Sequence, residues 1–212
     1  TLGRGLERDS STPSREFTIN DGSAHYSAKL YVSHCDAEEC QGEGRIQLFD
    51  KANQRFVQTF SSDNLNFFLT AEQQPTVNVI QLYNEQSPLI FEDFNFDGSE
   101  DLAIRNGNNS GYGGPSYDVY VFNRSRGQFV LSDDLTRLTY ENLGMFQTDA
   151  VRKRLTVFAK SGCCWHQTTE YAVVPKRGLV ATKILTEDAA RADGRYVYVT
   201  TETRSNGVNG KM

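Results

Sequence analysis

The sequence predicts an all-β fold, an antiparallel β-sandwich or a barrel-like domain. Three observations predict it. Short apolar segments of period two recur along the chain. Turn residues separate them. The apolar complement is rich in Phe (13) and Tyr (10) and poor in Met (2), which suits strands. A β-propeller-like fold is the second choice, because no repeat of fixed period is convincing.

Residues 1–15 are polar and carry Ser10-Ser11-Thr12-Pro13-Ser14. They read as a disordered leader, too polar to bury. Residues 16–204 are read as a single β domain, since all-β units reach this length undivided. Strands are expected at Ala28–Ser33, Arg45–Phe49 and Phe56–Phe60, the last two joined at Asp50-Lys51-Ala52-Asn53. Thr76–Leu82 alternates cleanly and reads as another strand. Tyr117–Phe122 and Gln128–Leu131 form a hairpin across residues 123–127. Arg154–Phe158, Glu170–Val174, Leu179–Ile184 and Arg195–Thr201 complete the set. Only Leu185–Ala192 looks even weakly helical. The segment 205–212 is a polar, glycine-containing tail expected to be flexible.

Of 212 residues 38% are hydrophobic, enough for a core at this length. The formal net charge of −5 argues against a nucleic-acid partner, since phosphate binding needs a basic face. It would suit a cationic protein partner. No window approaches 18 consecutive apolar residues, so no membrane span is predicted. The start, Thr-Leu-Gly-Arg, lacks an apolar signal segment, and a lipid anchor upstream of it is one expectation.

The even cysteine count, Cys35, Cys40, Cys163 and Cys164, fits an oxidising compartment. Pairing 35–40 with 163–164 is preferred, ahead of a cross-pairing of the two segments. A zinc site with His34 or His166 fits poorly, because zinc cysteines are usually spaced two to four residues apart.

The strongest motif is Asp93-Phe94-Asn95-Phe96-Asp97-Gly98-Ser99-Glu100-Asp101. Oxygen-bearing side chains fall at positions 1, 3, 5 and 9, with Gly at 6. Calcium takes six to eight oxygen ligands, and such a loop can offer them on alternate residues. The expected ligands are Asp93, Asn95, Asp97 and Asp101, with the carbonyl of Ser99. An EF-hand would place Glu at position 12, which is Ile104. The flanks Leu89-Ile90-Phe91 and Leu102-Ala103-Ile104 read as strands instead.

A polar, glycine-rich loop follows, residues 105–118. Gly113-Gly114-Pro115-Ser116-Tyr117 lies in it. Tyrosine supplies rigid contact area and a hydroxyl at low entropic cost, which is why binding loops favour it. No Gly-Lys-Ser/Thr and no strand-to-helix context is present, so the loop is not a phosphate cradle.

The run Asp93–Phe122, joining the acidic loop to Gly113-Gly114-Pro115-Ser116-Tyr117, resembles the bacterial periplasmic lysozyme inhibitors. It is most similar to the Xanthomonas-type immunity proteins against lysozyme-like type IV secretion effectors. A softer likeness surrounds Cys163-Cys164-Trp165-His166. In those inhibitors a Ser-Gly-x-x-Tyr loop enters the enzyme cleft. The resemblance places that Tyr on Tyr117, the Gly on Gly114 and the Ser on Gly113, so the serine is missing. Ser116 or Ser110 would have to replace it.

The resemblance therefore implies a periplasmic immunity protein that is not an enzyme. Its partner would be a lysozyme-like peptidoglycan glycosidase, blocked by Gly113, Gly114, Ser116 and Tyr117. No catalytic set is legible, since His25, His34 and His166 have no motif partners. The alternative is a calcium-stabilised adhesion or glycan-binding module.

Overall fold

In a computed structural model, the structure describes residues 14–192 and 195–205. The predicted leader and tail lie outside the described residues, except at positions 14, 15 and 205. The described residues are mostly strand, in three antiparallel sheets that do not close into a barrel. The fold is an all-β sandwich, not a propeller.

The first sheet has the order β1 (Arg15–Ile19), β2 (Tyr26–Cys35), β3 (Glu39–Asp50), β4 (Phe56–Ser62). The short β5 (Phe67–Phe68) pairs with the start of β3, at Glu39 and Cys40. The second sheet is β6 (Leu89–Glu92), β7 (Asp101–Arg105), β8 (Tyr117–Asn123) and β9 (Gln128–Leu131). The third is β10 (Gln147–Asp149), β11 (Arg154–Ser161), β12 (Trp165–Val174), β13 (Gly178–Ala192) and β14 (Arg195–Arg204). Helix α1 (Asp133–Glu141) joins β9 to the third sheet.

The second sheet is the middle layer, and its sequence says why. Side chains alternate across a strand. Leu89, Phe91, Leu102 and Ile104 enter one core with Leu30, Ile46, Leu48 and Phe60 of the first sheet. Ile90, Ala103, Tyr117 and Val119 enter a second core with Leu135 and Leu138 of α1 and Leu155 and Val157 of β11. The antiparallel register sets Leu89 against Ile104 and Phe91 against Leu102 on one face, and Ile90 against Ala103 on the other. A strand covered on both faces reads as a continuous apolar run, as Leu89-Ile90-Phe91 and Leu102-Ala103-Ile104 do. Edge-to-face aromatic pairs, including Phe60–Tyr120 at 4.8 Å and Phe122–Phe129 at 5.2 Å, seal the first core.

Most predicted strands are present, several of them longer than expected. Two expectations are corrected. Thr76–Leu82 is not a strand: only isolated bridges form nearby, Leu69 to Pro75 and Ile80 to Gln86. Asn78 takes a left-handed φ of 59°. Its side chain donates to Gly22 O (2.6 Å) and accepts from Phe91 N (2.7 Å), which fixes the segment as a loop. Leu185–Ala192 is not helical but the far half of β13, paired with both β12 and β14. The helix is α1 instead. Ser132 caps it by accepting from Leu135 N, and Asp133 and Asp134 sit in its first turn, where the helix dipole favours anions.

Both preferred disulfides form: Cys35–Cys40 closes the β2–β3 turn, and Cys163–Cys164 lies at the β11–β12 turn. None of the cysteines is free to bind zinc.

Candidate functional site

The acidic motif forms the β6–β7 loop, between strands as the sequence implies. Its side chains fold back on their own backbone. Asp93 accepts from Asp97 N (3.0 Å) and Gly98 N (2.8 Å). Asn95 Oδ1 accepts from Asp97 N at 3.0 Å, and Asp97 Oδ1 from Ser99 N at 2.7 Å. Gly98 turns the chain at φ 85°, a conformation that disfavours any residue with a Cβ. Asp101 is buried, and its two oxygens accept from Phe94 N (2.9 Å) and Phe122 N (2.8 Å). Burial pushes its carboxyl up to about 7, against the pull of those two N–H groups.

The donor chemistry suits calcium, being entirely oxygen. Its geometry is less assembled. Among the described residues, no three Asp, Glu, His or Cys side chains converge as a preformed metal centre. The Arg124 guanidinium also leans on the loop, donating to Asp97 O (2.8 Å) and Ser99 Oγ (2.7 Å).

The glycine-rich loop leaves the same sheet at the opposite end of β7. It is held firmly. Asn106 N donates to Ser116 O (2.8 Å) and Ser116 N to Gly107 O (3.1 Å), which continues the β7–β8 pairing. Gly107 N reaches Asn64 O, and Gly111 N reaches Asn142 O just beyond α1. Buried Arg105 fans out beneath, donating to Gly107 O, Gln86 O and Asn108 Oδ1.

This arrangement overturns the predicted anchor. Tyr117 is 0% exposed. Its hydroxyl donates to Ser87 O at 2.7 Å, and its N–H to Thr139 Oγ1 at 2.9 Å. As the first residue of β8 it alternates with Val119 into the second core, so it cannot reach a partner. Ser116 is buried as well, donating to Asn106 O and accepting from Asn109 N. It cannot replace the missing serine. Ser110 is also buried, and its hydroxyl has no hydrogen-bond partner among the described residues. Gly113 and Gly114 do lie in the projecting turn, with Gly113 exposed.

The exposed tyrosine is Tyr112, in a single 3-10 turn over Gly111–Gly113. It is 63% exposed and held at φ 58°. Tyr83, 65% exposed, is held at φ 62°. A left-handed conformation is costly for a bulky residue, and such strain concentrates at functional sites. The half-buried Lys160 of β11 lies between the two rings, with Nζ 4.7 Å from the Tyr112 centroid and 5.3 Å from that of Tyr83. The Tyr112 hydroxyl accepts from Gly162 N at 2.5 Å, beside the Cys163–Cys164 turn. Tyr83, Tyr112 and Lys160, with Asn84, Pro115 and Leu143, line an open hollow of about 300 Å³. A second hollow of about 380 Å³ adjoins it across Tyr83 and Pro115 and ends on exposed Phe68. Sequence reasoning missed Tyr83, Lys160 and Phe68, because distant segments bring them together.

No family model matches the chain, and no curated protein sequence matches it. The fold is similar to that of a solved structure. That protein is described as "a Xanthomonas Type IV Secretion System related protein". The TM-score is 0.61 at 20% identity, over 88% of this chain and 93% of that one. At this identity the likeness is one of fold. No helix among the described residues is long and apolar enough to cross a membrane.

Proposed function

We propose that this protein is a non-enzymatic, periplasmic immunity protein linked to a type IV secretion system. It blocks a lysozyme-like peptidoglycan glycosidase with its glycine-rich loop. The observation that carries the reading is Tyr112, 63% exposed in the 3-10 turn of a loop that is tied down along its length, its own hydroxyl included. The proposal rests on the loop through Tyr112 and not on Tyr117, which is buried. An exposed aromatic ring flanked by two glycines suits docking against a partner's cleft. Lys160 adds a positive charge beside it, which suits a cleft bearing two carboxyl groups. The fold likeness supports the link to secretion. The two disulfides support an oxidising compartment.

The test is lysis of peptidoglycan by a panel of lysozymes and lysozyme-like secreted effectors, with and without the purified protein. Stoichiometric loss of lysis by at least one enzyme is the expected result. Undiminished lysis by every enzyme, together with binding to a glycan, would select the adhesion reading instead. The two exposed tyrosine rings flanking one hollow favour that reading as the second choice.

We further propose that the β6–β7 loop holds calcium through Asp93, Asn95, Asp97, Asp101 and the Ser99 carbonyl. Spacing and the turn at Gly98 support this. Calcium would give the clustered carboxylates a counter-charge and brace the β6–β7 hairpin from the end opposite the inhibitory loop. Chelation is expected to lower the melting temperature, and added calcium to restore it. Asp97→Asn should remove most of that response. A melting temperature indifferent to calcium in metal-stripped protein would end the idea.

A further inference from the structure

We propose that the outward face of the third sheet carries a binding site for a phosphate-bearing anion. Arg152, Arg154, Glu170, Thr182, Lys183 and Arg204 line a concavity of about 490 Å³ there. The chain as a whole is acidic, at −5, whereas the four cations here outnumber the carboxylates they meet, Asp149, Glu170 and Glu202, and leave the hollow locally positive.

The strand register builds this cluster. Leu155 and Val157 face the core, so Arg154, one residue before Leu155, faces away. Glu170 stands opposite Lys183, and Lys183 opposite Arg204. The register of β12 and β13 shifts at Glu170/Tyr171, because Thr182 is an extra residue in β13. That bulge brings Lys183 onto the outward row. Bulges of this sort re-aim side chains beside functional sites.

Like charges directly opposite one another across strands are unfavourable. Lys183 and Arg204 form such a pair. Glu202 partly relieves them: Lys183 Nζ lies 3.5 Å from Glu202 Oε2, and Arg204 also pairs with Glu202. Arg152 is shared between Asp149 (2.7 Å) and Glu170 (3.2 Å). Arg154 has no carboxylate within ion-pair distance among the described residues. Instead its Nη1 donates to the carbonyls of Arg152 (3.1 Å) and Lys153 (2.9 Å). Those two bonds hold the guanidinium in place and leave Nε and Nη2 to meet a ligand.

An arginine fork matches phosphate oxygens in pairs, which a lysine cannot do. The hollow is open to solvent and leaves room for an organic group beside the phosphoryl group. A phosphoglycerol unit has this form, either in solution or as the headgroup of an anionic phospholipid. A vesicle of that lipid would repel the acidic chain as a whole, so binding to it would require a local site.

The experiment titrates the intact protein at low salt with glycerol 3-phosphate, and separately with phosphatidylglycerol vesicles against phosphatidylcholine vesicles. Backbone amide shifts map the binding surface. We expect shifts confined to the turn at Arg152 and to β11–β14, with binding about tenfold weaker or worse in Arg154→Gln and in Lys183→Gln. Binding of glycerol 3-phosphate alone supports the site and assigns it a soluble ligand. Binding to the anionic vesicles, absent with phosphatidylcholine, supports the site and assigns it a membrane headgroup. The proposal is overturned if neither probe binds at millimolar phosphate. It is equally overturned if shifts lie elsewhere, or if both variants bind as the wild type does.

Discussion

Tyr117→Ala is expected to destabilise the protein by about 3–5 kcal/mol, the usual cost of truncating a buried aromatic side chain. The ring lies fully inside the second core, with Val119, Leu135, Leu138 and Phe146. Removing it leaves a cavity between the middle sheet and α1. It also strands Ser87 O, which accepts the Tyr117 hydroxyl at 2.7 Å. Tyr117→Phe separates these two effects. It keeps the ring and loses only the hydrogen bond, so it should cost about 1–2 kcal/mol. Chemical denaturation of the two variants measures both. Any loss of inhibition by Tyr117→Ala would then track unfolding, and Tyr117→Phe would inhibit normally. An unchanged denaturation midpoint in Tyr117→Ala would contradict the buried placement, and selective loss of inhibition by a stable variant would return Tyr117 to the interface.

The contrast between Tyr117 and Tyr112 shows how far the sequence can be read. Tyr117 opens the alternating run Tyr117-x-Val119-x-Val121. The period-two rule that predicts β8 also puts Tyr117 on the same face as Val119, which is buried. That simple rule is a better guide here than the resemblance to Ser-Gly-x-x-Tyr loops. Tyr112 carries a usable signal, because it sits between Gly111 and Gly113 in the part of the loop furthest from either strand. Helix α1 is missed by the strand-based reading although its signal is present. Ser132-Asp133-Asp134 is an N-terminal signature, and Leu135, Leu138 and Thr139 fall on one face, three and four residues apart.

Other features are not legible locally. Thr76–Leu82 alternates as a strand does, yet Asn78 uses its side chain to tie down Gly22 and Phe91, far away in sequence. Strand propensity loses there to a tertiary staple. The Tyr83–Lys160–Tyr112 cluster joins three segments that no spacing rule connects. The Cys35–Cys40 disulfide, by contrast, follows from a five-residue spacing across a turn, whereas adjacency disfavours the Cys163–Cys164 bond and spacing alone does not dictate it.

Tyr112→Gly is expected to weaken inhibition strongly while leaving the fold intact. Removing an exposed aromatic anchor at the centre of an interface commonly costs about 2–4 kcal/mol of binding. That is a weakening of roughly 30-fold to nearly 1,000-fold, at 1.4 kcal/mol per factor of ten. Glycine is the informative replacement. It accepts the φ of 58° that Tyr112 adopts without the clash of a Cβ. The ring buries nothing in either core, so stability should stay near that of the wild type. Within the protein, the substitution removes the hydrogen bond from Gly162 N to the Tyr112 hydroxyl and the ring beside Lys160. Tyr112→Phe removes the hydrogen bond but keeps the ring, and should retain most of the inhibition. Inhibition titrations of the two variants against the same enzyme, beside their melting curves, make the comparison. A Tyr112→Gly protein that folds and still inhibits fully would remove the loop from the mechanism. Loss of inhibition in both variants would assign the decisive role to the hydroxyl and its tie to the Cys163–Cys164 turn, with the ring secondary.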